Sequence, residues 1–421
     1  MNARLLKFRL SLMMFLQYAA LGAYQISLGM YLAGIGYGSR IAWFFAVMGI
    51  AALFMPAVVG RLADRYIPAQ RLFAMCHIMS AMFFAVMAFE AGAAQPGFWS
   101  VFIPYVVGIL LFVPTLSLSN SLCFIQISAN GLDSEKLFPI IRMWGTIGFI
   151  VSMLAVNFLG IASSSGQFVL RAVLGVLLGL YALSLPSCPV HRPDDTKKYG
   201  NSWTASLRSM HSKGLTALFL LAILFGVCLH MSNGFTGPFL ESFNCVPQFE
   251  GAFFVRNSMM LMSFSQVAEA LCVMLLPFML RRFGFKKVLL ISAMAWCVRY
   301  LLLSFGNPGG NVWMLVLAMV LYGVAFDFFN VSASIQIDNS VHPCQRAFAQ
   351  GLLVVMTNGI GSSIGMLGVQ QVVNIFTWPQ KQGDRFYTFG DWPSVWMLFA
   401  AFAFVLFILV LVFIRENKKN D

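Results

Sequence analysis

HRPDDTKKYGNS, residues 191–202, is the one stretch that reads as a flexible linker in a 421-residue chain that is 59% hydrophobic. It is the centre of the longest polar segment, Ser187 to Lys213. Six apolar runs precede it, at 10–34, 41–60, 72–93, 98–126, 138–161 and 167–186. Six more follow, at 214–240, 252–280, 288–306, 311–337, 347–376 and 393–414. Each is long enough to cross a bilayer as a helix, which takes about 20 apolar residues. The pattern predicts an all-α membrane protein of twelve transmembrane helices in two six-helix halves. The expected boundaries are 1–186, a linker at 187–213, and 214–421. Six spans plus six is the mark of a duplicated transporter fold, with parallel halves around a central cavity. Weak internal similarity agrees: GRLADRY (60–66) follows span 2 and LRRFGFKK (280–287) follows span 8.

Composition excludes a soluble fold. Only 10% of the chain is charged, with 42 Phe and 25 Met, and the mean hydropathy is +0.80. The first apolar run is too long for the core of a signal peptide and has no small-residue cleavage site, so it reads as span 1. A net charge of +12 could suggest nucleic acid, but its distribution is that of a membrane protein. With the N-terminus inside, 20 of the 27 Lys and Arg residues fall in cytoplasmic segments. Five, Arg40, Arg171, Arg256, Lys381 and Arg385, fall outside, and Arg142 and Arg299 lie within spans. This bias places both termini in the cytoplasm. The eight Cys show no metal-ligand or CxxC spacing and read as free thiols. There is no phosphate-binding loop, HExxH or nucleophile elbow, so the chain reads as a non-enzyme without cofactor or metal.

Three ionisable residues inside apolar runs carry the functional signal: Arg142, Glu269 and Asp327. A charge in lipid is expensive, so one that persists there faces a wet or polar interior and serves a function. On span 5, Arg142, Thr146 and Phe149 are spaced i, i+4, i+7 and share a face. That face offers a fixed cation, a hydroxyl and an aromatic ring, suited to a small polar ligand with a planar part. Snorkelling is the alternative for Arg142, which lies near the end of its span. On span 8, Ser263, Gln266 and Glu269 share a face, and Glu269 lies ~16 Å from the cytoplasmic end, near the midplane. A structural ion pair with an interior Arg is its alternative role.

On span 10, Tyr322 and Phe326 share a face, and Asp327 is turned from Phe326 by about 100°. A carboxylate kept from water binds a proton more readily, as a proton-coupled carrier requires. A permanent salt bridge, with Arg299 as partner, is the alternative for Asp327. On span 7, His230 and Asn233 stand at i, i+3. His230 can bind substrate or titrate, or be held in an ordinary hydrogen bond. Asn233 is an amide partner for a ligand bearing hydroxyls or a base. Asn120, Asn330 and Asn358 read as helix-to-helix amides, and Glu90 and Arg171 as interfacial charges.

GRLADRYIPAQR, Gly60 to Arg71, resembles the loop 2–3 signature of the major facilitator superfamily, with Ile67 or Pro68 in place of the second glycine. In this reading Gly60 permits close helix approach, Asp64 pairs or caps, Arg65 anchors the loop, and the three serve conformational switching. RMWGTIGF, SQVAEAL, YGVAFDFFN and VVMTNGIG, on spans 5, 8, 10 and 11, resemble the bacterial nucleoside–proton symporters of that superfamily, as does the opening FLQYAALGAY. The resemblance runs to about Ile414. It implies a nucleoside site of Arg142, Thr146, Phe149, Asn233, Gln266, Glu269, Tyr322 and Phe326, with Asp327 linked to the proton and Glu269 shared between substrate and coupling. His230 stands where the family pattern has Gln, which affects substrate preference.

The reading is therefore a monomeric, multi-pass porter of the bacterial cytoplasmic (inner) membrane. It imports nucleosides with protons by alternating access, its partners being nucleoside, proton and the lipid bilayer, with no nucleic acid. A proton-coupled porter for a sugar or another small polar metabolite is the alternative.

Overall fold

In lipid a peptide group has no water to bond, and helix is the form that satisfies it within one segment. The computed structural model describes residues 3–188, 213–341 and 346–414; the linker stretch 191–202 lies outside them. Among the described residues, ten helices are long and apolar enough to cross a membrane. Two local breaks relate them to the twelve spans. Span 1 is Ala3–Gly22 followed by Leu28–Gly34. The turn at 23–27 keeps helical bonds, Gln25 N–H to Leu21 O (3.1 Å) and Leu28 N–H to Tyr24 O (2.8 Å). Spans 8 and 9 run together as Ser258–Phe305, broken at Gly284, whose φ of +76° suits glycine alone.

The chain divides into two compact units, Met1–Tyr37 with Ile50–Gly200, and Gly38–Gly49 with Asn201–Asp421. The beginning of span 2 thus packs with the second unit, contrary to a boundary drawn by span order. Hydrogen bonds explain this. Ala42 N–H donates to Gln370 Oε1 (2.9 Å), Gln370 Nε2 donates to Gly38 O (3.1 Å), and the Ser362 hydroxyl donates to Phe45 O (2.9 Å).

In the first unit, an apolar cluster that includes Leu10, Met14, Phe73, Leu122, Ile141 and Leu178 ties the spans together. Span 5 lies on span 1 at backbone contact: a Cβ on Gly148 would stand 2.2 Å from Phe15 O, and one on Gly22 2.5 Å from Phe149 O. In the second unit a Cβ on Gly226 of span 7 would stand 2.3 Å from Thr357 O, and one on Gly323 of span 10 2.5 Å from the Ala268 carbonyl carbon. Small residues at such crossings let helices exchange dispersion and polar contact where apolar burial gives no driving force.

Three expectations are corrected. The signature after span 2 is mostly helical. Helices Ile41–Arg65 and Ala69–Ala91 leave only 66–68 as connection, so Gly60, Asp64 and Arg65 occupy closing turns of a helix. A Cβ on Gly60 would meet nothing within 4 Å, so no close approach depends on it. Arg171 is not interfacial. It is 0% exposed, its guanidinium 4.6 Å from the Phe84 ring and 4.5 Å from the Phe112 ring. It donates to the Ser80 hydroxyl (2.9 Å), which donates to Gly108 O (2.8 Å). Two aromatic faces and a hydroxyl hold this cation inside the first unit.

The connection between spans 11 and 12 adds a β-hairpin to the expected all-α fold. Strands β1 (Thr377–Gln382) and β2 (Arg385–Gly390) form an antiparallel hairpin with Gln382 opposite Arg385. Gly383, at φ +61°, supplies the first residue of the two-residue turn. Trp392 Nε1 donates to Thr388 O (2.9 Å) and fixes the hairpin to the start of span 12.

Overpacking a tight core costs about 1–3 kcal/mol. Gly148→Ala and Gly226→Ala are each expected to lower the melting temperature of the purified protein, whereas Gly60→Ala leaves it unchanged or slightly raised. Thermal unfolding followed by tryptophan fluorescence checks the contrast; equal effects at all three glycines would overturn it.

Candidate functional site

In the first unit, span 5 (Ser134–Phe158) carries Arg142, Thr146 and Phe149, of which Arg142 and Phe149 lie against span 1. Arg142 is half-buried, with its guanidinium 4.0 Å from the centre of the Tyr18 ring. The cation is therefore stacked on a neighbouring helix. Gly145 leaves the space: a Cβ there would stand 2.7 Å from Tyr18 and 2.9 Å from Arg142 Nη1. Thr146 is half-buried, and Phe149 is buried against span 1. Tyr18 is a member of this face that spacing within span 5 could not reveal. Its signal was its place in the FLQYAALGAY string of span 1.

The second unit gathers the larger set. The Tyr322 hydroxyl of span 10 (Val312–Ser340) donates to Asn233 Oδ1 of span 7 (Lys213–Ser242) at 3.2 Å. The Tyr322 and Phe326 rings lie 6.0 Å apart with a 32° tilt, on one face as the spacing required. Phe326 is half-buried and lines a small open crevice together with Phe225, Trp296, Phe329, Asn330 and Thr357. Phe225 and Phe329 are stacked at 3.9 Å and 12°. Aromatic side chains are thus concentrated in this part of the unit.

Gln266 and Glu269 are both half-buried on span 8. Ser263, on the same face, is buried, and its hydroxyl donates to Met260 O at 2.7 Å, so it is occupied within its own helix. Asp327 is 3% exposed, and its Oδ2 meets no hydrogen-bond donor among the described residues. The Glu269 carboxylate acts electrostatically on Asp327, Tyr322 and Cys272. The buried Asp327 and the half-buried Glu269 therefore lie within electrostatic reach of each other.

The salt bridge from Asp327 to Arg299 does not form. The ion pair found among the described residues is Lys136 with Asp133 at 3.4 Å, far along the chain from either group. Arg299 instead donates to Ala318 O and to the Ser232 hydroxyl (2.9 Å), and its guanidinium lies 5.1 Å from the Tyr322 ring. Its part beside Tyr322 and Asn233 was not legible from spacing, because it comes from span 9.

His230 is 3% exposed, and neither ring nitrogen meets hydrogen-bond geometry. The Asn358 amide on span 11 lies beside the ring. Asn358 lies in a π-helical stretch, Val355–Gly365, set between Arg346–Val354 and Met366–Phe376. Such wide turns are rare and occur often at functional sites. The Asn358 amide also donates to the Thr357 hydroxyl (3.3 Å).

Comparison with known proteins places these features in a family. The profile described as Nucleoside H+ symporter matches residues 4–419. The nucleoside permease NupG of Escherichia coli (strain K12) is 35% identical over 410 residues, covering 95% of this chain and 94% of that protein. The xanthosine permease of the same organism is 35% identical over 419 residues, covering 98% and 96%. A crystal structure of the nucleoside transporter NupG superposes with a TM-score of 0.83 at 33% identity, over 99% of this chain and 100% of that one. A D-xylose–proton symporter, at 13% identity and a TM-score of 0.66, shares the fold alone. The twelve-span fold is that of the major facilitator transporters, and the chain belongs to the nucleoside H+ symporter family.

Proposed function

We propose that this protein imports nucleosides together with protons across the bacterial cytoplasmic membrane, as a monomer with both termini in the cytoplasm. The observation that carries the reading is the pairing in the second unit. A buried Asp327 with an unbonded oxygen lies within electrostatic reach of Glu269, next to Tyr322, Phe326 and Asn233. Family membership supports the substrate class, and the charge bias of the loops supports the orientation.

A nucleoside is a planar base joined to a ring with hydroxyl groups. Tyr322 and Phe326 offer aromatic faces to the base. Asn233 and Gln266 offer amides that both donate and accept. Glu269 accepts from ribose hydroxyls. Arg142, Thr146 and Phe149 of the first half bring a cation, a hydroxyl and a ring. The Tyr322 hydroxyl and the Asn233 carbonyl oxygen are paired with each other, so exchanging that bond for ligand bonds costs little.

The proton belongs on Asp327. Two ionised carboxylates within electrostatic reach repel each other, and one proton held by the pair removes that repulsion. A substrate hydroxyl bonded to Glu269 stabilises the Glu269 charge, which favours the proton on Asp327. Each ligand thereby strengthens binding of the other, as linkage requires. With both bound, the site carries less charge through the membrane during reorientation. The two halves are the moving bodies, joined by the segment 187–213, and the closing turns at Gly60, Asp64 and Arg65 take part in switching. His230 meets the base or ribose from span 7 and sets preference among nucleosides.

Uptake of labelled uridine by proteoliposomes tests the whole reading. Uptake should rise with an inward proton gradient and be competed by nucleosides but not by free sugars. Competition by sugars with no effect of nucleosides would establish the sugar porter instead. Asp327→Asn is expected to abolish the response to the gradient while equilibrium exchange of uridine survives; loss of both together would remove Asp327 from the proton role. Glu269→Gln deletes a charged acceptor worth about 1.5–3 kcal/mol, so the KM for uridine should rise about 10- to 100-fold. His230→Gln should change the ratio of purine to pyrimidine nucleoside uptake more than total uptake; an unchanged ratio would exclude it from selectivity.

A further inference from the structure

Arg299 is a fully interior cation, 2% exposed, on span 9, the part of Ser258–Phe305 beyond the Gly284 break, which contributes none of the proposed ligand groups. Burying an ionised group costs several kcal/mol, so a chain that keeps one has use for it. Ion pairing does not account for it among the described residues. Its contacts do. Nη1 donates to the carbonyl of Ala318, which in a regular helix also accepts from the backbone N–H of Tyr322, four residues on. Nη2 donates to the hydroxyl of Ser232 (2.9 Å), the residue before Asn233. The Tyr322 hydroxyl then donates to Asn233 (3.2 Å) and closes a ring of contacts through spans 9, 10 and 7.

The guanidinium also lies 5.1 Å from the Tyr322 ring centre, a cation–π separation. Trp296, one turn earlier on the same helix, meets Tyr322 edge-on at 5.9 Å and 82°. One turn of span 9 therefore holds the Tyr322 ring by its edge and by its face. Tyr300, the next residue after Arg299, donates its hydroxyl to Cys228 O (2.7 Å), one turn before Ser232. Spans 9 and 7 are thus bonded at two successive turns, and the upper of these carries Ser232 and Asn233.

From this ring of contacts we infer that Arg299 is a positioning residue of the nucleoside site, fixing Tyr322 and Asn233 in the orientation that receives the ligand. The inference rests on the nucleoside reading above. It explains the residue type. A rigid planar fork with five donors can bond a carbonyl and a hydroxyl on two helices while facing a ring, and a lysine cannot. Ligand groups held in place before binding lose less freedom on binding, so affinity rises without a new contact. Arg299 itself touches no ligand and acts only through Tyr322 and Asn233.

The test is equilibrium binding of labelled uridine to the full-length protein in nanodiscs, with melting temperature measured on the same samples. Arg299→Gln should raise the Kd about tenfold, and Arg299→Lys about threefold, since the charge is restored but not the planar fork. In a Tyr322→Phe background, Arg299→Gln should add less than about twofold, because the ring of contacts is already open. Ser232→Ala, a small change suited to the case that Arg299→Gln does not fold, should raise the Kd about threefold, and should add less than about twofold in the Tyr322→Phe background. Multiplying effects in the double variants, or an unchanged Kd in folded single variants, would overturn the inference and assign Arg299 to structure alone. Absence of uridine binding by the unmodified protein would sink the nucleoside reading and the inference with it, whereas unaltered variants of a protein that binds uridine sink the inference alone.

Discussion

Backbone contact at glycine is the constraint on which both halves of this protein depend. Lipid tails are as apolar as leucine, so a helix gains little by exchanging one for the other. Gly148 against Phe15 and Gly226 against Thr357 bring paired helices to main-chain distance and fix their rotation. Rotation decides which residues face inward. With span 5 seated on span 1 by Gly148, Arg142 falls over Tyr18 and Phe149 against Gly22. With span 11 seated on span 7 by Gly226, Asn358 falls beside His230. The polar chemistry of each half follows from where two helices are allowed to touch.

Three arginines in the spans show how the same side chain is put to different uses. Arg142 is half-buried and stacked on Tyr18. Arg171 is sealed between Phe84 and Phe112 and holds Ser80. Arg299 bonds Ala318 O and Ser232 beneath Tyr322. Aromatic faces and hydroxyls, rather than carboxylates, keep these cations in place. The carboxylates Glu269 and Asp327 are thereby left near each other, without Arg299 neutralising Asp327. Had Asp327 been locked in a permanent ion pair with Arg299, it would offer no group to load and unload.

The spans were legible because a bilayer demands length, and apolar length is written directly in a sequence. The faces of spans 5, 8 and 10 were legible because helical spacing is fixed. Depth was not. Arg171 stands near the end of an apolar run, yet packing against Ser80 and two rings takes it to the centre of its unit. Gly60 fits the loop 2–3 signature, in which it permits close helix approach, yet open space surrounds it. Partners from other helices, such as Tyr18, Trp296 and Arg299, could not be found by periodicity within one span. The hairpin has a local signal: GD at 383–384 is a two-residue turn pair, with aromatic residues on both sides. The flanks lack strict alternation, so periodicity alone does not mark the strands.

The hairpin satisfies most of its own main chain and is pinned at its base by Trp392 and Gly390, leaving the tip at Gly383–Asp384 exposed. A surface tip whose strands are already closed below it tolerates added residues, because the insertion breaks no bond in the body of the protein. A short epitope placed there would stand clear of the helices. Its accessibility to antibody in intact and opened cells would read out the sidedness of the whole chain, with the transporter's own architecture serving as the mast for the flag.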